Sequence, residues 1–286
     1  MRTLSTTAVA TSPVGHSSAA VPGGRLAWPN GVTVSLASAP DGDEIAISDT
    51  GRFTLQPDGE TIIHHAPPGC DAAAVALDII GVVLPFLLHR EGAWCVHASA
   101  VLTASGVIAF VAPRGTGKST LAAACLQAGC ALVADDVVVL RNAADGVHVT
   151  PAGVPLRLHE RTARQVAGGT GAPDEWGKVR IPGALATDDA PLAAVYVLSA
   201  AAPDAAVARV PRPTRAAALA LLANGKITEL LGATAAGEAL SRCVALAHAA
   251  PVFDLAVPRD LARLGDVTAT LRHWHAGHGL PGPPVT

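Results

Sequence analysis

Aromatic side chains are scarce in this sequence. Four Trp, four Phe and one Tyr make up 3% of 286 residues, and there is a single Met. That excludes a core built on large rings; with half the residues hydrophobic, much of that alanine, the interior must be filled by small aliphatic side chains. An excess of positive charge is also lacking. Lys and Arg number 20 against 23 Asp and Glu, a formal net charge of −3, which excludes general affinity for nucleic acid. The five cysteines, at 70, 95, 125, 130 and 243, are odd in number and contain no C-x-x-C pair. They point to buried thiols in a reducing compartment rather than to a disulfide frame or a zinc site. Long apolar runs are missing too. VALDIIGVVLPFLLHR (75–90) is interrupted by Asp78 and Pro85 and is shorter than the ~20 residues a membrane span needs, so no membrane partner is expected. The first residues, MRTLSTTAVATSPVGHSSAAVPGG, carry one Arg and no continuous apolar stretch; they read as a disordered leader (1–24) rather than a signal peptide, and the location expected is cytoplasmic.

What is present is ample length for a core, in one large domain or two smaller ones. Residues 25–66 alternate short apolar runs with the turn signals PDGD, DTGR and QPDGE, which predicts a small β-rich region. CDAAAVALDIIGVVLPFLLHREG (70–92) reads as a helix ended by Gly92, closing an N-terminal region over 25–92. An α/β unit follows over 93–278, with a Pro/Gly tail at 279–286. Within it ALVADDVVVLR (131–141), AAVYVLSAA (193–201) and VFDLAVP (252–258) read as strands. TRAAALALLAN (214–224), TELLGATAAGEALSRCVALAHAA (228–250) and 259–277 read as helices, and 151–190 as irregular.

The chemistry concentrates in APRGTGKST (112–120). This matches the end of the phosphate-loop pattern G-x-x-x-x-G-K-[ST], with Ala112 in place of its first glycine. Such a loop turns backbone N–H groups toward phosphate oxygens, sends its lysine to the β/γ-phosphates and its hydroxyl to Mg²⁺. It needs a strand before it and a helix after it, whose N-terminus favours an anion. GVIAFVA (106–112) and STLAAACLQAG (119–129), closed by Gly129, supply both. Pro113, Arg114, Gly115, Thr116, Gly117, Lys118, Ser119 and Thr120 are therefore the nucleotide-binding candidates. Lys118 is expected in a solvent-exposed loop where its removal leaves the core intact. Asp135 and Asp136 end an apolar run after the loop helix, where carboxylates need a metal, a lysine or hydrogen bonds. Read as strand neighbours they face opposite sides, so one could hold Mg²⁺ while the other takes a proton.

With His97 in CVHASAV (95–101), the stretch HASAVLTASGVIAFVAPRGTGKSTLAAACLQAGCALVADDVVVL resembles the catalytic domain of the HPr serine kinase/phosphorylase family. It is similar also to the shorter kinase homologues of lasso-peptide biosynthesis. In the resemblance a histidine stands 21 residues before the loop lysine and the second Asp of an Asp-Asp pair 18 after it, as His97 and Asp136 do here. The resemblance implies an α/β P-loop kinase fold preceded by the small β-rich region, with ATP and Mg²⁺ as cofactors. It implies Asp136 as general base, His97 and Lys118 as active-site residues, Ser119 as metal ligand with Asp135 beside it, and a serine of a peptide or small protein as acceptor. A lasso-type precursor is the specific form of that acceptor, and a homo-oligomer is one assembly the family allows. VPRPTR (210–215) is similar to the family's PVRPGR segment, which makes Arg212 and Arg215 candidate phosphate or substrate contacts or else surface arginines at a helix start. The sequence departs from the family at Ala112, at Thr120, where glutamate is usual, and at Glu160, which lacks the Glu-x-Arg-Gly context of a second metal ligand. Two rivals share the same motifs: a kinase of small-molecule hydroxyls, and a nucleotide-binding regulatory module with little turnover.

Overall fold

The computed structural model describes residues 5–8, 21–28, 30–39, 42–58, 61–168, 171–174 and 177–276. The expected tail, 279–286, lies outside them. The structure is mixed α/β and divides into two compact units, Met1–Gly92 with Lys226–Ala239, and Ala93–Gly225 with Leu240–Thr286.

The first unit is a six-stranded sheet of β1 (Ser5–Ala8), β2 (Val21–Ala27), β3 (Thr33–Ala39), β4 (Gly42–Ile47), β5 (Gly51–Leu55) and β6 (Thr61–His65), in the order β1-β6-β5-β4-β3-β2. β2 to β6 form an antiparallel meander. Alternate residues such as Val34, Ile45, Phe53 and Ile62 are buried on one face, as the period-two pattern dictates. Two of these strands correct the expectation of a structureless leader over 1–24. β1 pairs in parallel with β6, Ser5 to Thr61 through Ala8 to His64, because a ladder is made by backbone groups and needs no apolar side chains. Residues 1–4 and 9–20 of that leader lie outside the described residues. Lys226–Ala239 also clusters here, although the sequence placed it in the α/β unit. A Cβ on Gly24 would stand 2.5 Å from the Glu229 carbonyl oxygen, so this glycine is what lets the two backbones meet.

The apolar run after β6 is helical from end to end: α1 (Ala72–Asp78), a π-helical turn at Ile79–Val83, and α2 (Leu84–Arg90). Asp78 and Pro85 do not break it. Proline in an α-helix collides with the carbonyl four residues earlier, and the wider π turn, in which the Leu84 N–H donates to Ile79 O, accommodates it. At 19 residues and a mean hydropathy of 2.1 the run is long and apolar enough to cross a membrane, contrary to the length argument from sequence. In this unit its second half buries Val82, Val83, Phe86 and Leu87. Thr50 Oγ1 donates to Asp78 at 2.6 Å, and Arg90 pairs with Asp43 at 2.6 Å.

The second unit holds β7 (Trp94–Val96), β8 (Ala98–Thr103), β9 (Gly106–Val111), α3 (Lys118–Gln127), β10 (Ala131–Asp135), β11 (Val138–Ala143) and β12 (Gly146–Thr150). β13 (Arg157–His159), α4 (Glu160–Ala167), β14 (Lys178–Arg180), β15 (Ala190–Ala201), β16 (Arg209–Pro211) and α5 (Thr214–Ala223) follow. The end of α6 (Ala233–Ala249) from Leu240 on, β17 (Val252–Pro258) and α7 (Leu264–Trp274) complete it. Nine strands form one sheet, in the order β10-β8-β9-β15-β12-β11-β7, with β17 parallel to β15 and β16 on β17. The sheet centre, β9, is buried at every residue and runs parallel to β15, as a continuous apolar run predicts. Its Phe110 packs in a core with Leu121, Leu126, Tyr196, Leu255 and Leu271. Each such buried side chain contributes about 1.5–3 kcal/mol.

Three expectations are corrected here. The run 131–141 is two strands, not one: β10 pairs with β8, whereas β11 pairs with β12 and β7. The segment 228–250 is a 3₁₀ turn at Thr228–Leu230, an extended Leu231, and then α6, because burying Leu230 and Leu231 turns the chain before the helix begins. The region 151–190 contains the β13–β14 pair and α4, in which Glu160 starts the helix and pairs with Arg164 at 2.5 Å. Glu160 thus serves a helix rather than a metal.

A polar chain ties α7 to the sheet. Arg209 donates to Tyr196 Oη at 3.1 Å, Tyr196 Oη meets His275 Nε2 at 2.7 Å, and His275 Nδ1 meets Ser105 Oγ at 2.8 Å. The guanidinium of Arg209 lies 4.7 Å from the ring centres of both Phe253 and Trp274. Burial, with Arg209 beside it, pushes His275 down to about 4.

Candidate functional site

β9 delivers the chain to the loop from the sheet centre, and Ala112, fully buried, is its last fixed point. Pro113, Arg114 and Gly115 are exposed. Gly115 (φ 83°) and Gly117 (φ 103°) adopt the left-handed backbone that lets the loop curl, with no heavy atom within 4 Å of a would-be Cβ at either. Gly117 is also the N-cap of α3, so no side chain caps that helix's first turn. Lys118, in contrast, is only 6% exposed. Its ammonium lies under the loop, donating to Ala112 O at 2.8 Å and Pro113 O at 3.3 Å. The expectation of an exposed lysine that the fold could lose freely is therefore corrected: the first residue of α3 points back across the strand end.

Asp135 is the final residue of β10 and stands directly opposite Ser99 of β8 in the antiparallel register. Its Oδ1 accepts from Ser99 Oγ at 2.5 Å and from Ser119 Oγ at 2.8 Å, and the two hydroxyls are 3.5 Å apart. Ser99 is fully buried. The loop helix and the edge strand are thereby joined at one carboxylate oxygen, and hydrogen bonds to an ionised acceptor are the stronger kind. Sequence reasoning missed Ser99. Its signal was its place two residues after His97 on a strand, meaningful only once the β8–β10 register is known.

Asp136 has φ 71°, the only non-glycine positive φ among the described residues. Asp tolerates this region better than most residues, and a non-glycine residue there is a frequent mark of a functional turn. The left-handed step ends β10 and sends the chain to β11. Strand alternation therefore does not decide where the Asp136 carboxylate points. His97, held between β7 and β8 by its N–H donating to Asn224 O at 2.7 Å, meets it. His97 Nδ1 lies 2.9 Å from Asp136 Oδ1 and 3.3 Å from Asp136 O. These contacts assign the ring proton to Nδ1. The Asp136 side chain is 58% exposed, open to an incoming group, while that of His97 is 29% exposed.

No family model matches the chain, and no curated protein matches it. Among solved structures it is similar to the Hpr(Ser) kinase/phosphatase from Coxiella burnetii. The identity is 12% and the TM-score 0.35, over 64% of this chain and 99% of that one.

The residues present fit a nucleotide triphosphate with a hard divalent cation. Ser119 Oγ and Asp135 Oδ1 are adjacent oxygen donors, the loop curls through two left-handed glycines, and the N-terminus of α3 with Lys118 supplies positive charge. Among the described residues no group of three or more His, Cys, Asp or Glu forms a metal cage. Mg²⁺ does not require one, since it keeps waters and takes phosphate oxygens alongside one or two protein ligands.

Arg212 and Arg215 do not join this group. Arg212 pairs with Asp254 and donates to Ala216 O at 3.2 Å, fastening the start of α5. Arg215 lines a groove of about 440 Å³ with Leu219, Leu240, Val244 and His248. Among the described residues neither hydrogen-bonds to the loop, 112–120.

Proposed function

We propose that the protein is an ATP- and Mg²⁺-dependent kinase that transfers the γ-phosphoryl group to a serine hydroxyl of a peptide or small protein. The observation that carries the reading is the division of labour between adjacent carboxylates. Asp135 is taken up by Ser99 and Ser119 at the phosphate-loop helix, while Asp136 is turned outward and held by His97. Asp136 accepts the proton of the acceptor hydroxyl as its oxygen attacks the γ-phosphorus. His97, through Nδ1–H, keeps the carboxylate aimed. Lys118 and the loop N–H groups hold the phosphates in line, and Ser119 with Asp135 would hold the metal, which when bound neutralises charge on the phosphate oxygens. Such a site needs little beyond positioning and charge, which is how phosphoryl transfer is catalysed. An open carboxylate suits a polypeptide acceptor, and a lasso-type precursor peptide is the specific form of this proposal, resting on the resemblance of residues 97–140. A cytoplasmic location and self-association belong to the same reading.

The test is incubation of the protein with ATP, Mg²⁺ and serine-containing peptides, lasso-type precursors among them, followed by mass spectrometry. Phosphoserine formed by the native protein and lost in Asp136→Asn supports the reading. Phosphate found only on a small molecule, or tight nucleotide binding with no transfer to any acceptor, overturns it.

A further inference from the structure

The turn that ends α3 holds two of the five cysteines against each other. The Gly129 N–H donates to Leu126 O at 3.0 Å and the Cys130 N–H to Cys125 O at 3.0 Å, with Gly129 at φ 93°. This paired closure of a helix brings the residue after the glycine back against the one five positions earlier. Here those two residues are both cysteine. Even a straight path through the hydrogen bond would separate their Cα atoms by only about 7 Å, and any bend in it shortens that toward the roughly 4.4–6.8 Å that disulfides span. The neighbouring Cys125 side chain, with Arg272 nearby and against the effect of burial, holds Cys130 below the ordinary thiol value, while the Cys130 side chain and burial hold Cys125 well above it. Cys130 is 8% exposed and Cys125 1%, so the more acidic sulfur is also the one nearer solvent.

We infer that Cys125 and Cys130 form a dithiol that hydrogen peroxide closes to a disulfide. The Cys130 thiolate attacks one peroxide oxygen and displaces hydroxide, giving a sulfenic acid. Cys125 then gives up its proton and attacks that sulfur, expelling the oxygen as water. Overall two thiols and one peroxide become one disulfide and two waters; the two sulfurs supply the two electrons. Cys70 and Cys243 differ in kind. Burial and the carboxylates of Asp71 and Asp78 push Cys70 up, and burial pushes Cys243 up to about 12. The bond would join the helix that begins with Lys118 to the residue just before the strand that ends with Asp135, yet the inference stands on the turn and does not depend on phosphoryl transfer.

The experiment uses the full chain, reduced, freed of reductant, exposed to graded hydrogen peroxide, then alkylated and digested with trypsin. Residues 119–141 form one tryptic peptide that holds Cys125 and Cys130 and no other cysteine. That peptide is expected to lose two hydrogens and resist alkylation at peroxide levels that leave Cys70, Cys95 and Cys243 free, with full reversal by dithiothreitol. In Cys125→Ala, Cys130 is expected to persist as a sulfenic acid trapped by dimedone. The wild-type measurement decides the matter even where that variant fails to fold. Full alkylation of 119–141 while another cysteine oxidises first overturns the inference, as does an oxygen adduct on Cys130 that never resolves to the disulfide.

Discussion

Replacing Ser99 with Ala tests the part of the site that no motif announced. The hydroxyl is fully buried and donates at 2.5 Å to Asp135 Oδ1, the same oxygen that accepts from Ser119 at 2.8 Å. Alanine has nearly the same volume, so the substitution opens no cavity of consequence. A hydrogen bond to a charged acceptor contributes about 1.5–3 kcal/mol, and that is the expected loss of stability. For a unit of this size it lowers Tm by roughly 3–12 °C. The functional consequence is more telling. With Ser99 gone, Asp135 keeps Ser119 as its hydroxyl partner and loses the cross-strand restraint on its rotamer. The Mg²⁺ concentration for half-maximal transfer should then rise about tenfold, as a ~1.4 kcal/mol weakening of the metal position requires, while nucleotide binding without metal stays as it was. The assays are a thermal melt, metal-free nucleotide titration and single-turnover transfer across a Mg²⁺ series. A variant that loses stability but keeps the wild-type Mg²⁺ curve would refute the placement of Asp135 at the metal. One unchanged in both would show that the hydrogen bond contributes nothing.

Lys118→Ala should abolish transfer and also lower the melting temperature by about 1.5–3 kcal/mol worth of stability, because the ammonium holds two loop carbonyls; calorimetry and phosphotransfer read both. Asp136→Asn, which tolerates the positive φ, should reduce transfer by about 10²–10⁴-fold with nucleotide affinity preserved, and normal turnover would remove Asp136 from the reaction. Arg212→Ala should destabilise through Asp254, whereas Arg215→Ala should leave the melt unchanged, so single variants separate what a double variant would confuse. His275 sets a pH dependence. Its folded pKa of about 4 lies below the ordinary 6.5, so the unfolded chain binds a proton first and stability falls as pH drops from 6.5 toward 4. That is about 2 kcal/mol lost by pH 5 and about 3 in full, and denaturation of wild type against His275→Gln at pH 7 and pH 5 should show the difference vanish in the variant.

The strand-loop-helix at 106–129 was legible because local rules write it: a run apolar on both faces, glycines where φ must be positive, and a helix closed by Gly129. The candidate loop, Asp135 and Asp136 followed from residue type and spacing and His97 from the family resemblance, and the structure brings all of them together in one unit. Sequence could not tell that Asp136 leaves the strand through a left-handed step, because nothing nearby forces it. The step is needed only because β10 and β11 pair with different partners, β8 on one side and β7 with β12 on the other. Ser99 was silent for the same reason: its partner lies 36 residues away, and only the register of two strands makes them neighbours. The burial of Lys118 and the capture of Arg212 by Asp254 were likewise decided by what the tertiary fold placed opposite each charge. Local chemistry chose the residues able to handle phosphate; long-range backbone pairing chose which of them share an oxygen, and so which task each is left free to do.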